Sequence, residues 1–262
     1  RSTRPASLAA TEPQDVRQIY WRIMDRTLIT FAVIILLPAT SFGFSINYNC
    51  DVLPSAATPS WDVIGSANYG LSVNDGILRM SNPDNLSWVL LERVDPEILG
   101  VTDLYLEARV MVPSGSDQNA SPQIAMTSIN TELPYGNRSH IWYAVDLFPD
   151  RIEFTLIDND NAGGSKFFGS CSIPDLNVSF HIITLHMHQT DAKRDFAVYV
   201  DGEEVISVTG EDTSRPINAV DIGYGLEIAI GESYWDYIGY WSEAPIGVRK
   251  MNWGGIKRLP IE

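Results

Sequence analysis

The chain has 262 residues, 45% of them hydrophobic, which is enough for one sizeable core. Its 18 Lys+Arg against 33 Asp+Glu give a formal net charge of −15. That balance argues against nucleic acid as a partner, because phosphate binding needs a basic surface, and leaves a neutral glycan, a cation or plain solubility.

Residues 1–23 have mixed polarity and no period. Met24-Asp25-Arg26 then precedes the apolar run Leu28–Leu37 and the small-residue stretch Pro38–Gly43. Charged, apolar, small is the order of a secretory signal peptide, with Met24 as its start and cleavage after Gly43 or Ala39. The uncharged stretch Leu28–Ile46 also approaches the ~20 residues of a spanning helix, so an N-terminal membrane anchor is the rival. The expected organisation is an upstream extension plus signal segment over 1–43, a β-sandwich over 44–242 and a C-terminal tail over 243–262. The expected location is extracellular or periplasmic.

From Ser45 onward short alternating runs dominate. Strands are expected near Trp61–Ser66, Tyr69–Val73, Ile77–Ser81, Trp88–Val94, Leu104–Val112, Gln123–Asn130, His140–Phe148 and Arg151–Ile157. Further strands are expected near Phe180–Gln189, Phe196–Val200, Val205–Thr209, Ile222–Ile230 and Tyr234–Trp241. Turn chemistry separates them, as in Asn74-Asp75-Gly76, Pro149-Asp150 and Asp158–Gly164. Many short strands at this spacing predict an all-β fold, a two-sheet antiparallel jelly-roll sandwich. The strongest single signal is Phe196–Val208, FAVYVDGEEVISV, where Asp201-Gly202 supplies the positive φ of a tight hairpin.

That V-Y-V-D-G-E hairpin follows a long strand at Phe180–Gln189 and precedes the acidic-aromatic strand Tyr234–Trp241 (YWDYIGYW). In this order the motifs resemble the concanavalin A-like lectin/glucanase superfamily, and within it the laminin-G-like modules of secreted proteins. The likeness runs from about Asn47 to Trp241. It implies the jelly roll and leaves the activity open, because the fold hosts many.

The superfamily's glucanases resemble one another in an E-x-D-x-x-E or E-x-D-x-E arrangement, which supplies a carboxylate pair about 5 Å apart. The nearest match, Glu227 to Glu232, has Ala229 at its centre, and its spacing places the two acids on opposite faces of an ideal strand. No catalytic residue is assigned from the sequence. His186 and His188 share a strand face without a visible third ligand. Calcium has two candidate sites, Asp158 and Asp160 in a polar loop, and Asp236 with Asp51 near the two ends of the sandwich. The Asp236 site follows from the resemblance, since similar jelly-roll modules join such an acid to N-terminal carbonyls. The two cysteines, Cys50 and Cys171, are expected to form a disulfide in an exported protein.

Trp88, Tyr135, Trp142, Tyr143, Trp235 and Tyr237 are the candidate sugar-binding aromatics, against the alternative of core packing. Trp235, Tyr237 and Trp241 are expected on one strand face. The expected function is a secreted, non-catalytic carbohydrate-binding or adhesion module for an extracellular or cell-wall glycan, with a cell-surface or matrix partner. The alternatives are a glycoside hydrolase or polysaccharide lyase of the same fold, and a structural or self-assembling extracellular protein.

Overall fold

The structure is a computed structural model that describes residues 43–66, 68–84, 87–114, 121–130, 140–158, 164–190, 192–224 and 230–242. The leader or anchor segment, Tyr135, Asp160, Glu227 and the tail 243–262 lie outside them.

The described residues form β1 (Ser45–Tyr48), β2 (Asp62–Gly65), β3 (Gly70–Asn74), β4 (Ile77–Asn82), β5 (Val89–Val94), β6 (Asp103–Met111), β7 (Pro122–Ile129) and β8 (His140–Phe148). These are followed by β9 (Arg151–Asp158), β10 (Gly164–Ser172), β11 (His181–Gln189), β12 (Arg194–Val200), β13 (Glu203–Glu211), β14 (Ala219–Tyr224) and β15 (Gly231–Ser242). They build two antiparallel sheets. The eight-stranded sheet runs β13-β12-β11-β6-β15-β4-β3, with β1 added against β15. The seven-stranded sheet runs β10-β9-β8-β7-β14-β5-β2. The expected jelly-roll sandwich is therefore the fold.

The core lies between the sheets and is aromatic. Trp61, Phe154, Phe196, Tyr224, Trp235 and Tyr240 are fully buried. Phe196 of β12 sits 5.6 Å from Phe154 of β9, and Trp61 meets Tyr240 edge-on at 6.1 Å. Each such side chain contributes roughly 1.5–3 kcal/mol by leaving water. The hairpin read from Asp201-Gly202 closes as expected, and the turn signal at Asn74-Asp75-Gly76 forms a second Asp-Gly hairpin. Asp75 and Asp201 have φ of 51° and 51°, Gly76 and Gly202 have 76° and 87°, and each pair forms a two-residue turn.

Two strands were not expected. The edge strand β10 (GSKFFGSCS) is exposed along most of its length and carries a bulge between Phe167 and Gly169, so it shows no apolar alternation. Strand β1 has only four residues, too few for a period. β14 begins three residues before the expected start because all six of its residues are buried, on both faces.

The disulfide is corrected. Cys50 and Cys171 are both free thiols. Cys50 follows β1, beside the Asp75-Gly76 turn through its neighbour Asp51, whereas Cys171 lies on β10 at the far edge of the other sheet. Burial is the largest cause that pushes the Cys50 thiol far up, and Asp236 and Asp51 add to it. A buried, protonated thiol is inert. Maleimide is thus expected to label one cysteine, Cys171, in the folded protein and the second only in denaturant. Two labels without denaturant would contradict the buried position of Cys50.

Candidate active site

The side chains that matter lie on the outward face of the seven-stranded sheet. In β14, Val220, Ile222 and Tyr224 enter the core, so Asp221 points the other way. In β5, Leu91 enters the core and Glu92 faces outward. The register puts Asp221 directly opposite Glu92, and on its other side opposite Ala125 of β7. Direct cross-strand partners have Cβ atoms roughly 4.5–5.5 Å apart, so strand pairing alone makes a carboxylate pair.

Both acids are shielded, with Glu92 1% and Asp221 0% exposed. Asp221 Oδ2 accepts from the Thr127 hydroxyl at 2.7 Å and from Trp142 Nε1 at 2.8 Å. Its Oδ1 is buried and has no hydrogen-bond partner among the described residues. His140 stacks on Trp142 at 4.8 Å with nearly parallel rings, and its Nε2 lies 3.7 Å from Glu92 Oε2. Ala125 and Ala144 are the small residues packed with Trp142 on this face.

Burial pushes the Asp221 carboxyl up to about 7, and the neighbouring Glu92 adds to the shift. The hydrogen bonds from Thr127 and Trp142, and His140, oppose it. The result is a carboxylic acid that keeps its proton close to neutral pH beside a second carboxyl group. That pairing is what acid-assisted bond cleavage needs. Asp146 and Glu153 form another direct cross-strand pair on this face. There Thr155 donates to Asp146 at 2.9 Å, and Arg151 to Glu153 at 2.7 Å.

Of the six candidate aromatics, the described structure brings only Trp142 to this site, and it serves through its N–H. Tyr143 stacks on Phe196 in the core at 4.4 Å. Trp235 is core and donates to Ser233 at 2.8 Å. A bulge between Trp235 and Tyr237 reverses the alternation of β15, so Tyr237 does not share the face of Trp235. Its hydroxyl donates to Glu107 at 2.7 Å. Trp88 is half-buried and lies just before β5, four residues from Glu92. Glu232 is bound by Arg79 and Tyr234, which accounts for its lowered titration.

Of the metal candidates, Asp51 and Asp236 both lie close enough to Cys50 to act on its thiol. Asp236 forms an ion pair with Arg109, while Asp51 is exposed. His186 and His188 both meet a single oxygen, Oδ1 of Asp103, at 3.0 and 2.9 Å. Among the described residues no group of three or more His, Cys, Asp or Glu side chains is arranged to hold a metal ion. Asp158 lines a cavity of 210 Å³ together with Tyr143, Arg194, Glu211, Asp212 and Arg215, and neither Glu92 nor Asp221 reaches it.

No family model matches the chain, and no curated protein does. Solved structures do match. One is an endo-1,3-β-glucanase from Streptomyces sioyaensis, 13% identical, with a TM-score of 0.52 over 78% of this chain and 97% of that one. Another is the catalytic domain of an endo-1,3-β-glucanase (laminarinase) from Thermotoga petrophila, 13% identical, TM-score 0.52, covering 76% of this chain and 97% of that one. The laminarinase catalytic domain from Thermotoga maritima is 12% identical, TM-score 0.51, over 78% of this chain and all of that one. The expectation of a non-catalytic binding or adhesion module is corrected: the matching structures are named as glucan-cleaving enzymes, and the register supplies in Glu92 and Asp221 the carboxylate pair for which the sequence offered no convincing candidate. The chain has the concanavalin A-like jelly-roll fold of those enzymes.

Proposed function

We propose that the protein is a glycoside hydrolase acting on an extracellular polysaccharide, with Asp221 as the acid and Glu92 as the nucleophile. The observation that carries this is the buried cross-strand pair in which Asp221 holds its proton near neutral pH. The shared fold with laminarinases supports a β-glucan as the first substrate to try, and the leader segment supports export. The laminin-G-like hairpin is read as part of the common scaffold.

The spacing of a direct cross-strand pair suits a retaining mechanism, which needs carboxyls about 5–5.5 Å apart. Asp221 gives its proton to the glycosidic oxygen as that bond to the anomeric carbon breaks. A Glu92 oxygen bonds to the same carbon, forming a glycosyl ester. Asp221, now a carboxylate, takes a proton from water, whose oxygen displaces Glu92 and releases the sugar.

The test is released reducing sugar from a panel of 1,3-β-glucan, mixed-linkage glucan and carrageenan. Wild-type protein is expected to release oligosaccharide, and Glu92→Ala to release none. Azide is expected to restore turnover of an aryl glycoside by Glu92→Ala, giving a glycosyl azide. Wild-type rates in Glu92→Ala, or no product from the wild type on any polysaccharide, would remove the hydrolase.

A further inference from the structure

The Asp221 carboxyl is held asymmetrically. Both donors that reach it, the Thr127 hydroxyl and Trp142 Nε1, meet Oδ2. An indole N–H can only donate, so Oδ2 must offer it a lone pair in every protonation state. In a neutral carboxyl the carbonyl oxygen is the better acceptor and the hydroxyl oxygen the poorer. Two donors at Oδ2 therefore select the tautomer whose proton sits on Oδ1, the oxygen that no protein donor occupies among the described residues.

We propose that Thr127 and Trp142 are positioning residues that fix the acidic proton of Asp221 on Oδ1, the buried oxygen left without a donor among the described residues. The assignment of Asp221 as the acid rests on the hydrolase reading above; the location of the proton rests on the two donors alone. The titratable groups facing Asp221 are Glu92 from β5 and His140 from β8, while β7 presents Ala125 and Thr127, which do not titrate.

Both donors favour the charged carboxylate over the neutral acid, so deleting either raises the pH at which Asp221 titrates. Trp142→Phe keeps a ring against His140 and removes the N–H. Thr127→Val removes the hydroxyl at nearly constant shape, and Thr127→Ser restores it. Infrared titration of the full chain carrying carbon-13-labelled aspartate reads the carboxyl directly, with Asp221 assigned by its loss in Asp221→Asn.

Asp221 is expected to titrate about one pH unit higher in Trp142→Phe and in Thr127→Val, and at the wild-type pH in Thr127→Ser. The alkaline limb of kcat/KM is expected to rise by the same amount with little change in KM. Unchanged titration in both deletion variants overturns the proposal. A shifted titration in a protein that cleaves no polysaccharide keeps the clamp and discards the hydrolase. Should Trp142→Phe fail to fold, the Thr127→Val and Thr127→Ser pair decides alone.

Discussion

Asp221→Asn is expected to lose turnover by about 100- to 10,000-fold, the usual worth of a general acid, and to melt at a higher temperature than the wild type at pH 8. The second effect follows from the sign of the shift. Folding raises the Asp221 carboxyl from 3.8 to about 7, so between those values the folded chain binds more protons than the unfolded one. Stability therefore falls as pH rises from about 4 to about 7, and the destabilisation is complete above that. Asparagine carries no charge, and its carbonyl oxygen can accept from both Thr127 and Trp142, so the variant escapes the loss. The gain at pH 8 is on the order of 2–4 kcal/mol, or several degrees, and vanishes near pH 4. Equal melting temperatures at pH 8 would show that folding does not raise the Asp221 carboxyl, and would remove the acid from the proposed mechanism.

The second large effect is expected at the tip of the central hairpin. Asp201 has φ of 51°, and proline fixes φ near −65°, so Asp201→Pro cannot keep the two-residue turn. It also deletes the backbone N–H that donates to the Ile182 carbonyl at 2.8 Å. The carboxylate's contacts with the Ile182 N–H at 2.9 Å and His181 Nδ1 at 2.7 Å go with it. A cost of about 3 kcal/mol or more predicts a melting temperature lower by roughly 6–12 °C, read by circular dichroism. Asp201→Asn tolerates positive φ and loses only charge, so it separates turn geometry from the ion pairing. A proline variant melting like the wild type would mean that the turn lies elsewhere.

Local chemistry was legible in the sequence. The Asp-Gly turns at Asp75 and Asp201 require positive φ whatever surrounds them, and strands with one wet face, such as Ile77–Asn82, show their period plainly. What failed was information that only pairing supplies. Glu92 and Asp221 become neighbours through the β5–β14 register, and no motif on one strand encodes that. A trace existed, because each is an acid inside an apolar run, VLLERV and AVDIG, where an unassisted charge is costly. The aromatic face of β15 was misplaced for a related reason. One extra residue at the bulge after Trp235 inverts the alternation beyond it, and a bulge has no dependable sequence mark.

The strand order also bears on how the protein is made. β14 lies between β5 and β7, and β15 between β4 and β6, so each sheet is joined across its middle by a strand from the last part of the sandwich. Without residues 219–242 the seven-stranded sheet separates into β2–β5 and β7–β10, and the eight-stranded sheet loses the link between β4 and β6. A nascent chain on the ribosome thus carries half-built sheets with open apolar edges until those residues emerge. Such non-local pairing is slow and exposes the chain to aggregation, and the burden falls on whatever shields the polypeptide during synthesis.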